Sequence, residues 1–317
     1  MLSRRAFCLA AAGAAGCGVR KMTSKERIDR ILKGEETDRP AVTFWYHFLD
    51  FKEPGERHAD LTLSYHRRLG TDLVKVMSDY PYPKPEGDWF KLKIDENPFP
   101  QQIRALELIR DGLAGTAHFV ETIFNPWNQA TKISSQEEVQ RLKAEKPQVL
   151  LDALEVIART EANHARKAIQ AGASGIFLAV DNAQDGILTR DEYKKFSEPF
   201  DRIVLDAAPG APLNVLHLHG AKVYLDLFWK GWPVAAINYS IHETGVGLAE
   251  ARKQFSGVLA GGVDEVNFRK LSREQLTEQW KAARAAVGPK HIVAPGCSVP
   301  NESTDQECLR LREAVGA

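Results

Sequence analysis

Residues 174–220 read SGIFLAVDNAQDGILTRDEYKKFSEPFDRIVLDAAPGAPLNVLHLHG. Two short apolar runs, SGIFLAV at 174–180 and APLNVLHL at 211–218, flank an amphipathic stretch at 189–207 long enough for a helix. A strand, a helix and a strand in that order imply a parallel pair, because parallel neighbours need a long crossover connection. The same unit recurs outward in both directions. RPAVTFWYHF (39–48), TDLVKVM (71–77) and AHFVETI (117–123) precede it, and VAAINYS (234–240), SGVLAG (256–261) and KHIVAP (290–295) follow, which makes eight runs in all. Helical patterns lie at 150–171, 221–230, 247–255 and 272–287, and TSKERIDRILKG (23–34) starts on a capping residue and stops at Gly34. Eight such units over residues 22–317 predict an α/β fold, a single-domain (β/α)8 TIM barrel, rather than an open doubly wound sheet.

Composition bounds the function. Hydrophobic residues are 44% of the 317, enough for a sizeable soluble core. Lys plus Arg equals Asp plus Glu at 42 each, so no global field recruits nucleic acid or an anionic membrane. No G-x-G-x-x-G follows the first strand and no P-loop occurs, so nucleotide binding is unsupported. The segment SDYPYPKPEGDWFKLKIDENPFP (78–100), with its prolines and aromatics, suits either a lid over the barrel mouth or a structured excursion.

The first residues differ in kind. MLSRRAFCLAAAGAAGCG places Arg4 and Arg5 before small and apolar residues, the layout of an export signal over residues 1–21. SRRAF resembles the twin-arginine motif, and AAGC ending at Cys17 resembles a lipoprotein box, which would give a membrane anchor. The expectation is an exported protein, periplasmic or lipid-anchored; translation starting at Met22 would leave it cytoplasmic. Cys297 and Cys308 remain in the body, too few for a disulfide framework.

Active sites of such barrels form at the C-terminal ends of the strands. The polar residues there are Tyr46, His47, Asp79, Asp181, Asn182, His217, His219, Asn238, His242 and Cys297. His217 and His219 stand two apart in one strand and share a face. With Cys297 they offer two nitrogens and a sulfur, a donor set for zinc with one position left open. The same pattern also suits two hydrogen-bonded core histidines and a small buried cysteine. Asp79, Asp181 and His242 are candidate catalytic groups. Tyr46, His47 and Trp127 could wall a flat or apolar substrate, and Asn182 and Asn238 could orient it.

MTSKERIDRILKGEETDRPAV, AGASGIFLAVDNAQDGILTRDEYKKFSEPFDRIV, VLHLHG, LAGGVDEVNF and IVAPGCSVPNESTDQECLRLREAV resemble the corresponding segments of the uroporphyrinogen decarboxylase family. The likeness runs from Met22 to the end and implies a (β/α)8 barrel. Within that family the haem-pathway decarboxylases carry Arg-Gln-Ala-Gly-Arg-Tyr after the first strand, where this chain has FWYHFLDFKEPGE and neither arginine. Asp79 matches their pyrrole-binding aspartate, whereas Asp181 stands where they have a serine. The corrinoid-dependent methyltransferases of the family bind zinc through His-x-Cys on strand five and a cysteine after strand eight. His217 and Cys297 match two of those ligands, and His219 replaces the third. The resemblance implies zinc-assisted methyl or one-carbon transfer to a thiol or similar small-molecule acceptor, with a corrinoid as co-substrate. Its alternatives are a metal-free tetrapyrrole decarboxylase anchored on Asp79 and a non-catalytic corrinoid or tetrapyrrole carrier. Family members occur as monomers and as homodimers.

Overall fold

Each of the eight apolar runs forms a strand: β1 (Ala41–Val42), β2 (Leu73–Val76), β3 (His118–Phe124), β4 (Ile176–Val180), β5 (Val215–Leu218), β6 (Ala236–Tyr239), β7 (Val258–Val263) and β8 (His291–Pro295). They belong to a computed structural model that describes residues 21–48, 53–78 and 80–316. The export signal, Cys17 and Asp79 lie outside the described residues. All pairings are parallel, in the order β1-β8-β7-β6-β5-β4-β3-β2. The two ends of that order meet at a seam. There Asp72 N–H donates to the Val42 carbonyl at 2.7 Å, and the Thr43 hydroxyl donates to the Leu73 carbonyl at 2.8 Å. The fully buried Asp72 carboxylate binds Arg27, Arg39 and the Val42 N–H, which fastens the joint. The result is a nearly closed (β/α)8 barrel.

The helices are α1 (Ser24–Lys33), α2 (Gly55–Leu69), α3 (Pro100–Leu113), α4 (Pro126–Ile133), α5 (Gln136–Glu145), α6 (Pro147–Gln170), α7 (Arg190–Phe196), α8 (Glu198–Leu205), α9 (Ile241–Thr244), α10 (Leu248–Gln254), α11 (Arg273–Val287) and α12 (Asp305–Ala314). Thr23 and Glu26 close a capping box on α1, which ends at Gly34 in the left-handed region. The expected helix at 189–207 is broken into α7 and α8. Ser197 leaves the helical region at φ −135° and Pro199 has no N–H to continue the first ladder. The expected helix at 221–230 is only a 3₁₀ turn, Leu225–Leu227. Gly220 and Gly231, both at positive φ, bound a segment too short for stable α-helical turns.

Helix α1 closes the N-terminal end of the barrel. Its Ile28 and Ile31 pack with Leu73, Val120, Val215, Ala236, Val258 and Ile292, one from each of six strands. The described residues of the excursion after β2 pack on α6 and the outer core. Its Asp95 N–H donates to Thr160 and its Asp95 carbonyl accepts from Asn163, both on α6, while Tyr82 and Phe99 join the outer core. Residues 80–100 are thus a structured excursion anchored on α6. Among the described residues no helix is long and apolar enough to cross a membrane.

Candidate metal centre

Alternation along each strand decides what enters the barrel. Val215 faces the interior, so His217 and His219 do too. Leu73 puts Lys75 and Met77 inside, Ala41 puts Trp45 and His47 inside, and Phe177 puts Ala179 and Asp181 inside. These residues line a cavity of about 360 Å³ at the C-terminal ends of the strands, together with Thr122, Phe124, Asn128, Lys132, Cys297 and Ser298.

The two histidines and the distant cysteine converge here. Cys297 Sγ lies 3.7 Å from His217 Nε2 and 3.4 Å from His219 Nδ1, and the three ligand atoms lie within 4.8 Å of one another. A tetrahedral zinc with bonds of about 2.3 Å to sulfur and about 2.0 Å to nitrogen separates those atoms by about 3.5 Å. The sulfur–nitrogen spacings thus suit the ion.

The sequence explains the convergence. Strand β5 aims both imidazoles inward. After β8 the chain makes a close approach at Gly296, where a Cβ would stand 2.3 Å from Ser240 Cα. Gly296 N–H is held by the buried Glu265 carboxylate at 3.0 Å, and Val299 N–H by the Trp45 carbonyl at 2.9 Å. The His217 ring stacks on Phe177, with centroids 5.3 Å apart and planes 28° apart.

Burial opposes ionisation of the Cys297 thiol, but hydrogen bonds and positive charge from His217 and His219 prevail and bring its pKa to about 4. The bond from Cys297 raises His219 to about 9 against the opposing effect of burial, with Asp181 and Glu243 adding negative charge. Both shifts favour a thiolate beside an imidazolium. A divalent cation bound there would take the place of the proton between them.

The other expected residues divide. Asp181 lines the cavity; burial pushes its carboxyl up, and Asn128 and the charges of His219 and Lys132 pull it down. His47 lines the rim. Tyr46 does not face the cavity but packs against Phe48 and Tyr65 outside the strands, because it has the opposite parity to Trp45. Trp127, 1% exposed, is buried in the outer core on α4. Asn182, also of outward parity, lies behind the sheet and accepts a bond from Asn125 at 2.8 Å. Asn238 is fully buried beneath His217 and accepts from its Nδ1 at 2.6 Å, so it does not line the cavity. His242, on α9, stands 4.0 Å from Asp264 and is absent from both the cavity wall and the ligand cluster.

Sequence reasoning missed Lys75, Lys132 and Phe177. The Lys75 ammonium lies 4.6 Å from the Phe177 ring centroid and 5.3 Å from that of Trp45, and Lys132 stands over Phe124. The parity rule would have found Lys75, which is two residues from both Leu73 and Met77.

Fold and site define a class: a parallel (β/α)8 barrel whose mouth gathers two imidazoles and a thiol close enough together to hold a metal ion. The chain belongs to the uroporphyrinogen decarboxylase family, whose model matches residues 80–317. No curated protein sequence matches it significantly. Among solved structures, a methyltransferase from Methanosarcina mazei is similar over 93% of this chain and 99% of its own, with a TM-score of 0.78 and 17% identity. A B12-independent methionine synthase from Shewanella sp. W3-18-1, in complex with selenomethionine, is similar over 88% of this chain and 92% of its own (TM-score 0.58, 12% identity). A putative vitamin-B12 independent methionine synthase from Listeria monocytogenes covers 93% of this chain and 94% of its own (TM-score 0.52, 10% identity). At these identities the likeness is one of fold.

Proposed function

We propose that this chain is a zinc-dependent transferase that moves a methyl or related one-carbon group to a thiol or similar acceptor, with a corrinoid as the co-substrate. The observation that carries the reading is the convergence of His217, His219 and Cys297, with sulfur–nitrogen spacings of 3.4 and 3.7 Å. Zinc bound there would supply Lewis acidity, which lowers the pKa of a thiol or water at the open position.

The chain's own residues do the rest. Trp45, Met77 and Phe177 make an apolar floor that keeps water from the reacting sulfur. Lys75, on that floor, would take an acidic group of the acceptor through a charge-assisted hydrogen bond. Asp181, beside His219, is placed to accept the acceptor's proton on a carboxylate oxygen. With His219 in place of the family's thiolate ligand, a metal held by these residues would be less electron-rich and more acidic.

The cavity volume also weighs against the decarboxylase reading. A space of about 360 Å³, with two lysines and an aspartate on its wall, suits a small acceptor better than a four-ring molecule bearing eight carboxylates. The test is metal analysis joined to turnover. Purified protein is expected to hold about one zinc per chain, to lose it in His217→Ala, and to demethylate methylcobalamin when a small acidic thiol such as coenzyme M is added. Wild-type protein that retains no zinc after reconstitution would overturn the proposal. So would a zinc-free preparation that decarboxylates a porphyrinogen.

A further inference from the structure

Strand β6 contributes no ligand, yet it governs one. The Asn238 amide nitrogen has two hydrogens, and both are committed: one to the Ala260 carbonyl on β7 at 2.9 Å, the other to the Pro295 carbonyl on β8 at 3.0 Å. Turning the amide over would set its oxygen against two carbonyl oxygens in a fully buried place, so its orientation is determined by its neighbours. The Asn238 oxygen can then only accept. Its partner 2.6 Å away is His217 Nδ1, which must therefore carry a hydrogen.

We infer that Asn238 is the positioning residue that makes His217 a metal ligand through Nε2, and that it ties this ligand to the backbone leading into Cys297. A neutral imidazole with its hydrogen on Nδ1 has its lone pair on Nε2, the atom that faces Cys297 Sγ at 3.7 Å. Unconstrained imidazoles favour the hydrogen on Nε2, which would blind this cluster. Pro295 is two residues before Cys297, so a single buried amide sets both the ring of one ligand and the strand end that delivers another. Hydrogen-bond partners of this kind typically change metal affinity by roughly 10–100-fold when removed.

The inference rests on the zinc reading of the cluster, and its test separates the two. Protein containing isotopically labelled histidine is loaded with an NMR-active cadmium isotope, and the nitrogen coupled to the metal is identified. Coupling at Nε2 of His217 is expected. Coupling at Nδ1 would overturn the inference while leaving the metal site standing, whereas failure of wild-type protein to bind either cadmium or zinc would refute the zinc reading itself. In parallel, Asn238→Leu, of similar volume and without polar atoms, is expected to bind zinc roughly 10–100-fold more weakly in competition with a chromophoric chelator. A folded Asn238→Leu protein with wild-type zinc affinity would also overturn the inference. Should that variant fail to fold, the cadmium measurement on wild-type protein still decides it.

Discussion

Replacing Glu161 by glutamine should stabilise the protein at neutral pH and do little in acid. Glu161 lies on α6, 1% exposed, and accepts a bond at 2.8 Å from Gln129 on α4, the helix that also carries Asn128 and Lys132 to the cavity. Burial raises its pKa from 4.5 to about 7; the His164 charge and the Gln129 bond oppose this, and the neighbouring Glu121 charge reinforces it. A carboxyl whose folded pKa is raised contributes stability below its unfolded pKa. That contribution is lost as pH rises toward the folded value, because the unfolded chain gives up its proton first. Between pH 4.5 and about 7 the loss amounts to about 3 kcal/mol, at about 1.4 kcal/mol per pKa unit. Glutamine keeps the acceptor for Gln129 and has no proton to lose. Denaturant unfolding of both proteins at pH 4.5 and pH 7.5 measures the effect. Their difference isolates Glu161 from Asp201, another buried acid raised to about 7. A stability difference that stays flat across that range would refute the reasoning.

Lys75→Met is expected to raise KM for an acidic thiol roughly 10–100-fold, the worth of one charge-assisted hydrogen bond, with a much smaller change for a neutral thiol; equal effects on both would remove Lys75 from recognition. His219→Cys should still bind one zinc per chain, and its cobalt-substituted form should show a stronger sulfur-to-metal charge-transfer band, so an unchanged band would mean that position 219 is not a ligand. Gly262→Ala should cost about 2–4 kcal/mol in denaturant unfolding, because φ is +102° and the new Cβ would stand 2.5 Å from Ala283 Cβ; an unshifted midpoint would contradict that geometry.

The barrel was legible because eight apolar runs alternate with crossover stretches, and the pairing of His217 with His219 was legible because imidazoles two residues apart in a strand share a face; the family resemblance, not spacing, brought Cys297 to them. Residues chosen only for lying at strand ends fared less well. Tyr46 and Asn182 have outward parity, so they pack behind the sheet, while their neighbours Trp45 and Asp181 face the cavity. Asn238 has inward parity, but it lies one layer below the cavity, directly under His217. Strand alternation gives the face and not the depth. Trp127 sits on a helix, where strand parity says nothing, and packing against α6 claims it. Lys75 was hidden by its type. A lysine within an apolar run reads as a solvent-facing residue, although its spacing from Leu73 and Met77 says otherwise.

Because α1 seals the N-terminal end of the barrel with Ile28 and Ile31, the chamber is reached from the C-terminal ends of the strands. Visitors must then queue. Under the proposed transfer, a small acceptor beside Lys75 would enter before a bulky donor rested on the rim, and its product would leave after that donor. For that reaction the plug would impose an order of arrival and departure, which inhibition patterns with the two reactants varied in turn would display.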